Sequence, residues 1–404
     1  MKLKTFSAMS KKVQIKTKGT DVVLHADRNL FGHMILAAQS RTLDLRDVLF
    51  HPLGPVPWSL AATDGSPRKT NKSALAKYLV QNVPVADDIP SPSACIVDGM
   101  SLLQKVKAER KTFAELSELV RITALREGSQ SQRLDIVFDV YKSLSIKNAE
   151  RQRRGTDEGI IYRNIHRGQT IHQWRKFLSS SENKTSVIKF LVDEWRSPAF
   201  QQEYGDKDIY VTSGSECFRV TRDIAEVVPE LASDHEEADT RVLLHSKHAA
   251  DQGYKAVIIA ADDTDILIMA LSLGHNLQCP IYQRRGTSAH CQYIDIRGVA
   301  SQHGIDVCTS LIGIHAFTGC DSVSAFAGKG KVKPIKKMSN FRQCFGELGQ
   351  TFDVTEQQFK EMEAFTCRLY LSEKTDCTDI NECRYLMFCG EKRRSRFLTA
   401  STVP

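Results

Sequence analysis

Acidic side chains at short spacing frame the stretch from Glu236 to Asp265. Glu236-Glu-Ala-Asp239 opens it and Asp262-Asp-Thr-Asp265 closes it. Between them, Ala256 to Ala261 is short, apolar and partly β-branched, which reads as a buried strand. The apolar run Ile266-Leu-Ile-Met-Ala-Leu271 after the acids suits a helix packed back on a sheet. Carboxylates at the C-terminal end of a buried strand lie where open α/β sheets place their sites. Held close together they repel, and a divalent cation is the usual relief. The chemistry suggested is that of a magnesium site, to which other parts of the chain must contribute.

Further acids follow the same pattern. Asp98 ends the apolar run Ala94-Cys-Ile-Val, and Asp139 follows Leu134-Asp-Ile-Val-Phe138. Asp321 sits in Thr318-Gly-Cys-Asp after an apolar helix expected over Ile305 to Phe317. Any one of them is explained by capping, because Asp is favoured at helix starts and acids in the first turn. Chance explains less well that every parallel strand expected in the core ends in an acid. Cations accompany the acids. At helical spacing Lys147, Arg151 and Arg154 share a face, with Arg153 beside them. Gly328-Lys329-Gly330-Lys331 suits a hairpin whose backbone amides meet a phosphate, and its spacing is not that of a Walker loop.

Composition narrows the class. The chain has 404 residues, 41% hydrophobic and 25% charged, as ordinary globular chains do. No apolar run reaches the roughly 18 to 20 residues of a membrane span. The polar, Lys-rich start lacks the apolar core of a signal peptide, and the 11 cysteines include no Cys-x-x-Cys pair. An intracellular chain with reduced thiols, not a secreted one, is expected. Cys367, Cys377, Cys383 and Cys389 are spaced too widely to suggest zinc. The formal net charge is +7, and Val140 to Phe190 alone holds eleven Lys or Arg against four Asp or Glu. A basic segment beside an acidic cluster suggests a polyanionic substrate at a metal site.

Residues 1–90 form a first region, with a helix expected over Asp27 to Ala38 and another over Ala74 to Gln81. Pro84 to Pro92 reads as a linker. Residues 101–126 and Ser181 to Arg196 read as helices, and Asp208 to Thr221 as a hairpin around Ser213-Gly214. Residues 339–404 form a mixed C-terminal extension. The fold class expected is α/β.

In their order, these motifs resemble the PIN-like nucleases, specifically the flap-endonuclease and XPG-type 5′-nucleases. The resemblance rests on Ile96-Val-Asp98-Gly-Met, on Val137-Phe-Asp139 with the basic Glu150-Arg-Gln-Arg-Arg154, on Glu237-Ala-Asp239, on Asp263-Thr-Asp265, and on Thr318-Gly-Cys-Asp321 with Gly328-Lys-Gly330. It spans roughly residues 94–338 and is weak from about 160 to 230. It implies a three-layer domain at 91–338, with a central, mainly parallel sheet flanked by helices, a basic helical insert at 140–230 and a helix–hairpin–helix-like segment. It also implies two-metal phosphodiester hydrolysis with Mg²⁺ or Mn²⁺. Asp98, Asp139, Glu237, Asp239, Asp263, Asp265 and Asp321 would be ligands, direct or through water. Lys147 with Arg151 or Arg153 would act on the scissile phosphate. Arg154, Gly328, Lys329, Gly330 and Lys331 would hold nucleic acid by its backbone, DNA rather than RNA, in the nucleus and away from membranes. This sequence departs from the family in the 90 residues before the first acid, in Asp239 where the family has Glu, and in the length of the insert. The alternatives are an inactive fold that only binds nucleic acid or protein, and a Toprim-like site, in which Asp98 and Asp139 have no role.

Overall fold

The structure is a computed structural model that describes residues 12–17, 20–25, 39, 41–42, 44, 57–62, 65–142, 161–162, 164–286, 291–372 and 375–394. Lys147, Arg151, Arg153, Arg154 and the helix expected over Asp27 to Ala38 lie outside the described residues.

The chain divides into two compact units: Ala76–Leu311, and Met1–Leu75 together with Ile312–Pro404. The sequence points instead to boundaries after residues 90 and 338. The division differs because the two end segments bond each other: Ala325 N–H donates to Arg68 O (2.9 Å) and Ala327 N–H to Ser59 O (2.8 Å).

In the end-segment unit, β1 (Lys12–Thr17) and β2 (Thr20–His25) form an antiparallel pair. Phe317, Phe326, Phe341, Phe345 and Phe365 form a cluster with ring centroids 4.8–6.2 Å apart. The helix Ile305–Phe317 forms as expected, its part from Ile312 onward belonging to this unit, and Val332–Lys337 is a short helix. The stretch joining them, residues 318–331, is longer than a tight hairpin. Gly328 (φ 68°) and Gly330 (φ 61°) lie at its end, in the left-handed region that glycine adopts without steric cost.

The Ala76–Leu311 unit is built on one eight-stranded sheet in the order β10-β9-β8-β3-β4-β5-β6-β7. Its strands are β3 (Ser93–Asp98), β4 (Arg133–Val137), β5 (Asp208–Ser213), β6 (Glu216–Val220), β7 (Ala225–Val227), β8 (Ala256–Ala260), β9 (Ile281–Arg285) and β10 (Gln292–Asp295). The five from β9 to β5 pair in parallel, and antiparallel strands close both edges. The fold is therefore α/β, with a mainly parallel sheet flanked by helices. The inner strands β3, β4 and β8 are buried along most or all of their length, as sheets covered on both faces require. The 140–230 insert is not wholly helical: its latter part supplies β5, β6 and β7, because the alternation around Ser213-Gly214 is a hairpin as expected.

The chain enters at the central strand β3 and winds first to β4 and β5, then returns to the other side for β8 and β9. This reversal puts helices on both faces. On one face Cys95, Val97, Leu134 and Ile136 pack with Phe113, Leu116, Val120, Ile188, Leu191 and Trp195 from helices Phe113–Glu127 and Ser181–Trp195. The helix expected over residues 101–126 is two helices, Gly99–Lys105 and Phe113–Glu127. Arg110 (φ 62°) turns the chain between them, and Thr112 and Glu115 form a capping box that restarts it.

The other face receives helix Ala238–Asp251 and holds a buried charge knot. Arg133 and Asp135 alternate to the same side of β4 and are both fully buried. Arg133 donates Nε and NH2 to the two Asp135 oxygens at 2.7 and 2.6 Å. His245 Nδ1 lies 2.6 Å from Asp135 Oδ2, and Arg133 NH1 donates to His248 Nδ1 at 2.9 Å. The Arg133 guanidinium stacks 3.8 Å from the centroid of Tyr210. Although burial opposes its charge, the Arg133 pair keeps the Asp135 carboxyl below its ordinary range. Burial holds His245 below its ordinary value, against the hydrogen bond that Asp135 accepts from it.

Asp135→Ala should cost about 3–5 kcal/mol in urea unfolding, because it leaves Arg133 buried without its counter-charge. An unfolded histidine takes up its proton near 6.5, before buried His245 does. Stability should therefore fall as pH drops through that value, and fall further below 3.8 as Asp135 loses its pairing. His245→Gln should flatten the first step, read from urea midpoints across the acid range.

Candidate functional site

Strand register delivers the acids of the Ala76–Leu311 unit to one end of its sheet. Asp98 pairs with Val137, and Val97 with Ala260. Asp139 thus emerges two residues past the end of β4, and Asp262 and Asp263 two and three residues past β8. These three strands flank the point where the strand order reverses, the crevice in which open α/β sheets bind ligands. The expectation that every parallel strand would end in an acid holds for these inner three. The outer two end in Ser213 and Arg285.

Each carboxylate is oriented by a helix start. Asp98 Oδ1 accepts from Met100 N–H (2.8 Å) and Ser101 N–H (3.2 Å) at the head of helix Gly99–Lys105. Asp263 Oδ1 accepts from Asp265 N–H (2.8 Å) at the head of helix Thr264–Leu273. Asp139 Oδ1 reaches across 99 residues to accept from Ala238 N–H at 2.9 Å, and Tyr141 Oη donates to its Oδ2 at 3.3 Å. Glu237 stands at the N-cap position of that helix but makes no side-chain cap of its own, so Asp139 supplies it. Asp239 and Asp265 lie in first turns, half-buried.

The acids share one electrostatic neighbourhood. Burial, with the charges of Asp139 and Asp263 close by, raises the Asp98 carboxyl to about 6, against the N–H groups of Ser101 and Met100 that lower it. Arg285, at the end of β9, lies in the field of Asp262 and Asp263. Asp262 Oδ1 accepts from Gly286 N–H at 3.1 Å and so anchors that strand end. Arg285 is not among the site residues expected from the sequence, where Arg284-Arg285-Gly286 only lies between two short strands. Arg284 points elsewhere, to Glu127.

The helix start at Asp98 packs closely on Phe138, the residue before Asp139. A Cβ on Gly99 would come 2.4 Å from the Phe138 ring, so the glycine lets that ring pack under the start of the helix. Phe138 N–H in turn donates to Thr212 Oγ1 at 2.8 Å.

As a donor set, Asp98, Asp139 and Asp263 with Glu237, Asp239 and Asp265 nearby offer only oxygen, which suits a hard divalent cation. Among the described residues no three His, Cys, Asp or Glu form a group closed around one ion. The capping bonds of Asp98 and Asp263 use Oδ1 in each case, which leaves Oδ2 outside them.

Asp321 belongs to the other unit. There Lys72 Nζ lies 2.8 Å from its Oδ1, and Lys69 donates to its backbone oxygen at 2.9 Å. Lys331, expected to face a phosphate, is buried instead. Its Nζ donates to His315 O (2.6 Å) and Thr318 Oγ1 (3.2 Å), tying the connection to the helix before it. Lys329 sits over the Tyr370 ring at 3.9 Å, while Gly328 and Gly330 remain exposed.

Two substitutions test this geometry. Gly99→Ala should destabilise the protein by about 1–3 kcal/mol in thermal or urea unfolding, since the ring beneath must move. Asp98→Asn keeps the cap acceptor and removes a charge disfavoured by burial and by Asp139 and Asp263, so metal-free protein should gain about 1–3 kcal/mol at neutral pH. An unchanged melting temperature for Asp98→Asn would show that neither burial nor the neighbouring acids disfavours the Asp98 carboxylate.

No protein-family model matches this chain, and neither does any curated protein.

Proposed function

We propose that the Ala76–Leu311 unit is a metal-dependent phosphodiesterase acting on nucleic acid, DNA rather than RNA, in the manner of the PIN-like 5′-nucleases its motifs resemble. The observation that carries the reading is the meeting of acids from β3, β4 and β8 at the reversal point of the sheet, where the Asp98 carboxyl responds to Asp139 and Asp263. Capping alone would also bring acids to strand ends, but it does not require a carboxylate to be buried beside two others, as Asp98 is beside Asp139 and Asp263.

Asp98, Asp139 and Asp263 would hold Mg²⁺ or Mn²⁺, two ions in the resemblance, with Glu237, Asp239 and Asp265 as ligands directly or through water. When bound, such a pair supplies a hydroxide nucleophile at neutral pH and offsets charge on the phosphate. The chain's own part is to fix these oxygens before substrate arrives. Backbone N–H groups hold Asp98, Asp139 and Asp263 by one oxygen each, so their orientation does not depend on the ion. Arg285 stands ready to contact the phosphate beside Asp263. Recognition through phosphates makes the activity selective for structure over sequence. Asp321, taken up by Lys72 in the other unit, is not required by this reading.

A second reading, an inactive fold that binds nucleic acid or protein, has its own support. No group of three donors closes around an ion among the described residues, and each central acid already serves a helix start.

The deciding assay measures cleavage of flap, nicked and single-stranded DNA with Mg²⁺ or Mn²⁺. Asp263→Ala with Asp265→Ala should lower the rate on the order of 10²-fold or more while leaving DNA affinity in place. Wild-type protein that binds these substrates and cleaves none of them would establish the second reading.

A further inference from the structure

A cavity of about 930 Å³ opens in the Ala76–Leu311 unit beside the C-terminal end of helix Gly99–Lys105. Its walls are the segment after that helix and the short helix Trp174–Phe177. Lys105, Lys107, Arg175 and Lys176 line it, all exposed, against a single carboxylate, Glu109. Glu109 is engaged at one oxygen, accepting from Trp174 N–H at 3.0 Å. Lys105 lies 3.5 Å from Glu127, whereas Lys107, Arg175 and Lys176 form no ion pair among the described residues.

The groove is built in advance. Its two walls are joined by backbone bonds: Arg110 N–H donates to Ile171 O (2.7 Å), and Ile171 N–H to Lys111 O (2.8 Å). Trp174, 4% exposed, lies against Phe177 with ring centroids 5.5 Å apart. Its indole N–H is buried with no acceptor among the described residues, although buried donors are nearly always satisfied. Three exposed cations without ion pairs among the described residues, against one carboxylate already engaged, suit a ligand rich in acceptor oxygens.

We propose that this groove holds the phosphate backbone of a nucleic-acid strand whose reacting bond lies at the acid centre. The inference rests on the phosphodiesterase reading and names where its substrate is gripped. Helix Gly99–Lys105 connects the two places: it starts at Asp98 and ends at the groove. At about 1.5 Å per residue it spans about 10 Å. That is about three steps of a strand, at about 3.4 Å of duplex axis each. Lys107, Arg175 and Lys176 would neutralise phosphates without reading bases. The phosphate-handling cations expected at 147–154 lie outside the described residues, so this groove is a separate assignment.

The test is fluorescence anisotropy with a labelled DNA oligonucleotide, single-stranded and duplex, in EDTA so that nothing is cleaved. Lys107→Glu/Arg175→Glu/Lys176→Glu should weaken binding about tenfold or more and lower the slope of log K against log salt by about two for single strands. The milder Lys107→Gln/Arg175→Gln should lose affinity in the same sense with its melting temperature kept, which separates binding from folding. Lys189→Glu/Lys247→Glu, which alters exposed lysines outside the groove, should leave affinity unchanged. Three results overturn the proposal: unchanged binding by the groove variants, equal loss in the control, or wild-type protein that binds poly-glutamate but not DNA. Groove-dependent binding without any cleavage would sink the phosphodiesterase reading and leave the groove. Cleavage that needs Asp263, with groove variants binding as wild type does, would sink the groove alone.

Discussion

The bond between Arg133 and Asp135 on β4 is the constraint on which the site depends. Two opposite charges fully withdrawn from water cost several kcal/mol each before pairing offsets the loss. The protein bears that cost where it fixes two things together. His245 and His248 bring helix Ala238–Asp251 onto the pair, so the helix is located by directional polar bonds as well as apolar contact. The same pair fixes the register of β4. A slip of one residue would turn both charges toward the apolar face formed by Cys95, Val97, Leu134 and Ile136. Asp139 follows from that register, and Ala238, whose N–H it accepts, follows from the helix.

Arg241 completes the fastening on the same helix. It is buried and donates NH1 to Gly214 O at 2.8 Å, at the turn between β5 and β6. The helix that presents Glu237 and Asp239 is thus held to β4 through Asp135 and to the β5–β6 turn through Arg241. Such a framework keeps side chains in position without help from a bound ligand.

Much of this unit was legible in the sequence because its signals are local. Apolar runs ending in Asp98 and Asp139 gave strands, and Ser213-Gly214 between alternating residues gave the hairpin. What failed to show were effects that need a partner distant in sequence. Asp135 interrupts the apolar run of β4, and its i,i+2 relation to Arg133 hints at a buried pair. The two histidines that complete the knot lie more than 100 residues away. Lys331 misled for a similar reason: a lysine directly after Gly328-Lys-Gly330 reads as part of an exposed turn, and only the carbonyl of His315 shows why it turns inward. Arg285 was hidden because its significance comes from Asp262 and Asp263, which the chain reaches one strand earlier.

The choice between cap and ligand, posed by each acid in isolation, dissolves when they are seen together. A helix start carries about half a positive charge, and three helix starts meet the acids here. They lessen the repulsion that the gathered carboxylates would otherwise impose on a protein without a cation. They do not abolish it, since Asp98 is still raised toward neutrality by burial and by its neighbours. A cap needs one oxygen, and a carboxylate has two. The capping bonds of Asp98 and Asp263 therefore orient an acceptor without consuming it, and the remaining strain on Asp98 is what a bound cation would relieve. Gly99 permits the packing beside these acids: its lack of a Cβ leaves room for the Phe138 ring, next in sequence to Asp139, beneath the start of the helix that Asp98 caps.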